Sequence, residues 1–209
     1  MTRSAPTAPP RVAGVLLAAG GSRRLGFPKQ LARWRSRPLL AHALDALKGA
    51  LPDGPLVVVL GARALRLRAV IRRTVPTPTV VTNARWADGL GTSLRAGIAA
   101  VPRGTRAILV ALVDQPKVDA EALRRLLRAW RRKPGVPAAA RYDGRAGVPA
   151  VLPRSSWRAA RSLTGDSGAR GLLRAAGASL TLVDMPEAEL DIDTAADLER
   201  LSRRRASHS

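Results

Sequence analysis

A chain of 209 residues with 46% hydrophobic and 24% charged residues is long enough to bury a sizeable core and has the balance of one globular domain, not of a disordered chain. Its 36 Lys and Arg against 15 Asp and Glu leave a net charge of +21, which points to phosphorylated ligands, nucleic acid or anionic lipid. The lack of Cys excludes disulfides, thiolate metal sites and cysteine nucleophiles, and 3% aromatic residues argue against direct nucleic-acid binding through stacked bases. Only four of the basic residues are Lys (Lys29, Lys48, Lys117 and Lys133), so the excess is Arg, and the segments 62–73, 124–133 and 200–205 read as solvated helical faces. The start, MTRSAPTAPPR, has no apolar signal core and no apolar run is long enough for a membrane helix, so the expected location is the cytoplasm without a membrane partner.

Residues 1–11 and 204–209 are small, polar or proline-rich and are expected to be flexible tails around one domain at 12–203. The apolar run 12–17 predicts a strand, followed by a Gly-rich loop and a helix over 38–48 opened by Pro38. Strand 56–60, helix 62–73, strand 79–82, helix 92–100 and strand 107–113 continue the alternation. Continuous apolar runs between amphipathic helices predict an α/β class with a mostly parallel sheet covered on both faces. After a helix over 119–131, strands at 136–141 and 148–152 lie in a Pro/Gly-rich stretch that would form a substrate-facing subregion. Helices near 155–162 and 167–176, a strand at 179–183 and a helix from Thr194 complete the order.

Four stretches carry chemistry. Directly after the first strand come Gly20, Gly21, Ser22, Arg24, Gly26 and Lys29, where glycines free backbone amides for phosphate oxygens and Arg24 and Lys29 add positive charge. The string also reads as an ordinary Gly-rich connection with a basic flank, and it matches neither a Walker loop, since Gln30 follows Lys29, nor a dinucleotide fingerprint. The stretch 83–93 reads as a loop and helix start capped by Thr92 or Ser93. Asp114 ends an apolar strand ahead of Gln115 and Pro116, a position that is either a turn or a carboxylate at the carboxyl edge of a parallel sheet. In 189–198, Asp193 or Thr194 reads as a helix cap with Asp197 in the first turn. His42 and His208 suggest no imidazole chemistry.

Leu17-Ala18-Ala19-Gly20-x-Ser22-x-Arg24-x-Gly26-x-Pro28-Lys29 resembles the signature loop of the MobA-like nucleotidyltransferases, which include the molybdenum-cofactor cytidylyl- and guanylyltransferases. The resemblance extends over nearly all of 12–201 and implies a Rossmann-like three-layer α/β/α fold of the nucleotide-diphospho-sugar transferase type. It implies a nucleotide-binding set of Leu17, Ala18, Ala19, Gly20, Gly21, Ser22, Gly26 and Lys29, joined by Gly91 and Ser93, and catalytic roles for Lys29, Arg24 and Asp114. Asp114 matches the Asp of the family's DxP motif, which binds Mg²⁺, and Asp191 or Asp193 would be a second metal ligand. On the acceptor side the resemblance implies Gly147 and Val148, in a segment where the family carries GHP and this chain has Val in place of His, and Asp166 or Arg170 in a stretch similar to GDxGAR.

The implied reaction moves an NMP from an NTP, with CTP favoured over GTP, to a phosphorylated acceptor, molybdopterin or its metal-loaded form, releasing pyrophosphate. A molybdoenzyme or cofactor-insertion protein would then be a partner. The alternatives are transfer to another phosphorylated acceptor, the chemistry of relatives described as oxidoreductases of dye-like heterocycles, and a non-catalytic nucleotide- or nucleic-acid-binding protein.

Overall fold

Alternation along β1 (Val12–Ala18) sets the layering. Val12, Leu16 and Ala18 pack into one apolar cluster, whereas Ala13, Val15 and Leu17 pack into a second on the opposite face. All seven residues are buried, so this strand needs apolar cover on both sides. The computed structural model describes residues 11–22, 24–73, 77–160 and 168–203. Apart from Arg11, the expected tails lie outside those residues.

The first cluster is covered by α1 (Leu39–Ala50), α2 (Ala64–Ile71), α4 (Ala120–Arg131) and α7 (Ala195–Arg203), and the second by α3 (Leu90–Ala100), α5 (Trp157–Ala160) and α6 (Gly168–Ala176). Between them lies one sheet built from β1, β4 (Leu56–Leu60), β5 (Thr79–Thr82), β6 (Ala107–Leu112), β7 (Ala138–Tyr142), β8 (Arg145–Pro153) and β9 (Thr181–Asp184). Its order is β5-β4-β1-β6-β8-β7-β9, and β8 alone runs against its neighbours. The expected three-layer, mostly parallel α/β/α architecture is therefore the one observed. A Cβ on Gly97 would stand 2.6 Å from Val15 Cγ1, so this glycine lets α3 approach β1 more closely than any side chain would allow.

Several boundaries moved for local reasons. Helix α3 starts at Leu90, because Gly89 adopts φ 101°, and Thr92 is not its cap: its single hydroxyl proton is shared between the carbonyls of Arg85 and Gly89, 2.8 and 2.9 Å away. Helix α2 starts at Ala64, since Arg63 takes φ 59° while the Ala62 amide bonds the Ala19 carbonyl. Asp119 caps α4, its carboxylate accepting from the Ala122 amide at 2.8 Å.

Two hairpins were not anticipated. The pair β2 (Arg33–Trp34) and β3 (Arg37–Pro38) turns through Arg35 and Ser36, both at positive φ without Gly or Asn to announce it. Arg35 lies 4.4 Å above the Trp34 ring, which covers part of the strain with a cation–π contact. By contrast, β7 and β8 join through Asp143 and Gly144, a sequence that does carry a hairpin signal. The stretch 134–153 therefore adds two strands to the sheet; β8 runs beyond its expected bounds at both ends, while β7 starts two residues later and ends one residue later than expected.

Candidate active site

Loop 19–28 leaves the carboxyl end of β1, between β4 and β6, where a parallel sheet opens a crevice as successive crossovers depart in opposite directions. Three contacts fix its shape. Ser22, at φ 53°, accepts the Lys29 amide on its hydroxyl at 2.9 Å. The buried Gln30 amide donates to the carbonyls of Ala18 and Gly20 at 2.9 and 3.0 Å. The Trp86 ring lies against Gly21, where an added Cβ would come within 2.8 Å of it. Leu17, Ala18 and Ala19 are core side chains, so only their backbone is available to a ligand, while Gly20 and Gly26 are exposed.

Lys29, Asp114 and Asp193 converge although 85 and 164 residues separate the lysine from the two carboxylates. The Lys29 ammonium donates to Asp114 at 2.5 Å and to Asp193 at 2.9 Å, with Lys29 and Asp114 side chains only 14% and 15% exposed. Burial acts to lower the Lys29 pKa, but the charge and hydrogen bonds of Asp114 and Asp193 outweigh it and the net direction is upward. Arg24, largely exposed, bonds the other Asp193 oxygen at 2.6 Å. Burial opposes ionisation of Asp193 as well, yet Lys29 and Arg24 hold its pKa below the ordinary value.

Asp191 differs. Burial first, then the charge of Asp114, raise its carboxyl to about 6. One oxygen of Asp191 and one of Asp114 are buried without a hydrogen-bond partner. Two unpartnered carboxylate oxygens at a sheet edge suit a hard cation that takes further ligands from phosphate and water. Among the described residues no three acidic or imidazole side chains form a complete metal cage.

Gln115, buried directly after Asp114, ties the site together. Its side-chain amide donates to the carbonyls of Val148 at 3.0 Å and Ala188 at 2.9 Å, and the Asp114 carbonyl accepts the Ile192 amide at 2.9 Å. These bonds set the 188–193 segment against β6 and β8. Asp197 then holds the start of α7, accepting from the amides of Asp193 and Thr194 and from the Thr194 hydroxyl, while Thr194 accepts the Asp197 amide. The expected cap is therefore a reciprocal Thr194–Asp197 box. A cavity of about 810 Å³ opens beside this cluster, lined by Arg24, Lys117, Asp191, Asp193 and Arg200 among others.

Other expected residues fall elsewhere. Gly91 and Ser93 are buried in the first turn of α3, and the Ser93 hydroxyl already accepts from the Asn83 amide at 3.0 Å. Val148 needs correction: its side chain is 3% exposed within the apolar cluster beneath α3 and α6, so it does not face an acceptor. Only its carbonyl is used, by Gln115 and by the Tyr142 hydroxyl. Gly147 is covered by that same tyrosine, whose hydroxyl oxygen would lie 2.3 Å from an added Cβ. Arg170 is exposed on α6, and Asp166 lies outside the described residues.

A mostly parallel α/β sheet with a glycine-rich loop, a paired lysine and partly buried carboxylates at its carboxyl edge is a ligand-binding edge, and the family match makes it that of a nucleotidyltransferase-class enzyme. Residues 14–187 match the MobA-like NTP transferase domain, and the chain belongs to that family. It is 38% identical over 205 residues to the nicotine blue oxidoreductase of Paenarthrobacter nicotinovorans, covering 92% of this chain and 97% of that one. The probable molybdenum cofactor guanylyltransferase of Rhodopirellula baltica is 34% identical over 131 residues, 61% of this chain and 59% of its own. The crystal structure of Rv0371c from Mycobacterium tuberculosis superposes with a TM-score of 0.80 at 30% identity, covering 94% of this chain and all 100% of that one. The manganese complex of the same protein gives a TM-score of 0.75 at 29% identity over 91% and 97% of the two chains.

Proposed function

We propose that this chain transfers CMP from CTP to a phosphorylated acceptor, molybdopterin or its metal-loaded form, and releases pyrophosphate. The observation that carries the reading is the junction of Lys29 with Asp114 and Asp193 at the end of the glycine-rich loop. An acceptor phosphate oxygen attacks the α-phosphorus, the new P–O bond forms as the bond to the β-phosphate oxygen breaks, and pyrophosphate leaves with that electron pair. The nucleophile is already anionic, so no side chain has to remove a proton, and catalysis rests on positioning and charge neutralisation. An ammonium has three N–H donors; with two bonded to Asp114 and Asp193, the third remains for a phosphate oxygen. The loop amides bind further phosphate oxygens, in a shape kept by Ser22 and Gln30, and exposed Arg24 reaches the leaving group. Asp114 and Asp191, with their unpartnered oxygens, would hold Mg²⁺, which supplies Lewis-acid neutralisation of the triphosphate.

The experiment is pyrophosphate release from each of the four ribonucleoside triphosphates, with and without molybdopterin, across a Mg²⁺ titration. Release with CTP that depends on both molybdopterin and metal is expected. A second reading is favoured by the 38% identity to nicotine blue oxidoreductase: reduction of a related dye. Bleaching of nicotine blue at the expense of a reduced nicotinamide or flavin cofactor, without pyrophosphate from any triphosphate, would replace the first reading by the second.

A further inference from the structure

At the amino end of β6, away from Asp114, a second cavity of about 900 Å³ lies between the end of α3, the 101–104 turn and α5. Arg95, Arg103, Arg154 and Arg158 line it together with Trp157, and none of the described residues lining it is acidic. Neutralising the carboxyl end of α3 would take one cation, and four are present. The side chains of Arg103 and Arg158 are exposed and make no hydrogen bond or ion pair among the described residues, as holds for several other surface arginines, so it is the grouping of four around one cavity that distinguishes this place. Two of the groove's groups are held in place: the Trp157 indole N–H donates to the Leu152 carbonyl at 3.2 Å, and Arg154 stacks 5.2 Å over that ring. Ile98, Val101 and Pro102 add an apolar wall.

We propose that this groove is a second binding site, separate from the catalytic edge, for a nucleoside polyphosphate. Guanidinium groups take the phosphates through forked hydrogen bonds, and the indole with its apolar wall takes the base. The volume falls in the range of small-ligand sites, about 300 to 1,000 Å³. A single-stranded nucleic acid would need several aromatic platforms along a track, and one tryptophan lines this cavity. The site does not depend on the catalytic assignment of Lys29.

The test is calorimetric titration of the full chain with ATP in EDTA at about 150 mM salt, where long-range attraction is screened. Because the catalytic edge is proposed to take CTP with a metal, EDTA and an adenine base leave it empty, and wild type and Lys29→Ala are each expected to take up one equivalent. In the Lys29→Ala background, Arg103→Ala with Arg158→Ala should weaken the remaining event at least tenfold, and both positions are exposed, so the fold stays intact by circular dichroism. Inorganic tripolyphosphate should bind that background at least fivefold more weakly than ATP, and Trp157→Leu should bring ATP down to the tripolyphosphate level. Loss of all binding in Lys29→Ala, indifference to the arginine pair, or equal affinity for ATP and tripolyphosphate each overturns the proposal. So does a ten-nucleotide RNA without a triphosphate that displaces ATP and binds more tightly.

Discussion

The two ends of β6 handle positive charge in opposite ways. At its carboxyl end Lys29 is nearly buried and matched by Asp114 and Asp193, and even the exposed Arg24 is paired. At its amino end Arg103 and Arg158 stand exposed in a cavity lined by no acidic described residue. The contrast follows from solvation. A charge removed from water must find a partner or lose its ionisation, so burial forces pairing and pairing fixes geometry. An exposed charge carries no such demand, and it can wait for a ligand. Accordingly, changes at the carboxyl end should act on turnover and on local order, and changes on outer faces should act on little.

The sharpest break of that contrast is Asp114→Asn. It keeps the shape of the side chain but removes the negative charge from both Lys29 and the cation position. Pyrophosphate release is expected to fall at least about a hundredfold, the size of loss seen when one preorganised transition-state contact is removed. A Mg²⁺ titration checks it, and equal activation of mutant and wild type would leave Asp114 a structural residue only. Lys29→Ala should lower kcat/KM by at least about tenfold, since one charge-assisted hydrogen bond contributes about 1.5 to 3 kcal/mol. Unchanged far-UV circular dichroism would assign that loss to the site and not to the fold.

Val148→His tests the corrected placement of the acceptor side. Because Val148 is enclosed by apolar neighbours, an imidazole there has no partner and should cost about 1 to 3 kcal/mol, lowering Tm by roughly 2 to 12 °C. Improved transfer to molybdopterin at unchanged Tm would show that residue 148 meets the acceptor after all. Asp197→Asn concerns the support of the carboxylate segment. Burial opposes ionisation of Asp197, but bonds from Arg200, Thr194 and the Asp193 and Thr194 amides prevail and hold it well below the usual carboxylate range. A depressed folded-state pKa stabilises fully above the unfolded value, about 3.9, and the benefit disappears as pH falls through the folded value. The mutant should therefore lose about 0.5 to 2 kcal/mol at pH 7 in urea unfolding, and the gap to wild type should close in strong acid. The smallest effect belongs to Arg128→Ala on the outer face of α4, where the Glu121 pair is exposed and the unfolding midpoint should not move measurably.

Much of the framework was legible without coordinates. The apolar runs of β1, β4 and β6 lie within a residue of their expected ends, and α1, α4 and α6 within two. These signals are short-range: a strand buried on both faces must be apolar throughout, and a helix such as α4 must show its stripe of Leu123, Leu126, Leu127 and Trp130. The motif strings marked Lys29, Asp114 and Asp193 as chemistry-bearing through their resemblance to the family's motifs.

What the sequence by itself could not decide is which of these groups touch. Lys29 meets Asp114 and Asp193 only because β6 returns beside β1 and Gln115 clips the 188–193 segment to β6 and β8. The same long-range packing turned Val148 into the core and made Gln30 the staple of the loop, although nothing in their immediate neighbours distinguishes either role. The tight turn at Arg35 and Ser36 was invisible for the same reason: its positive φ values are imposed by the pairing of β2 with β3 and by the Trp34 contact, not by residues that prefer them. Periodicity and turn chemistry are properties of a few adjacent residues, whereas burial, pairing and orphaned oxygens are created when distant strands close on one another.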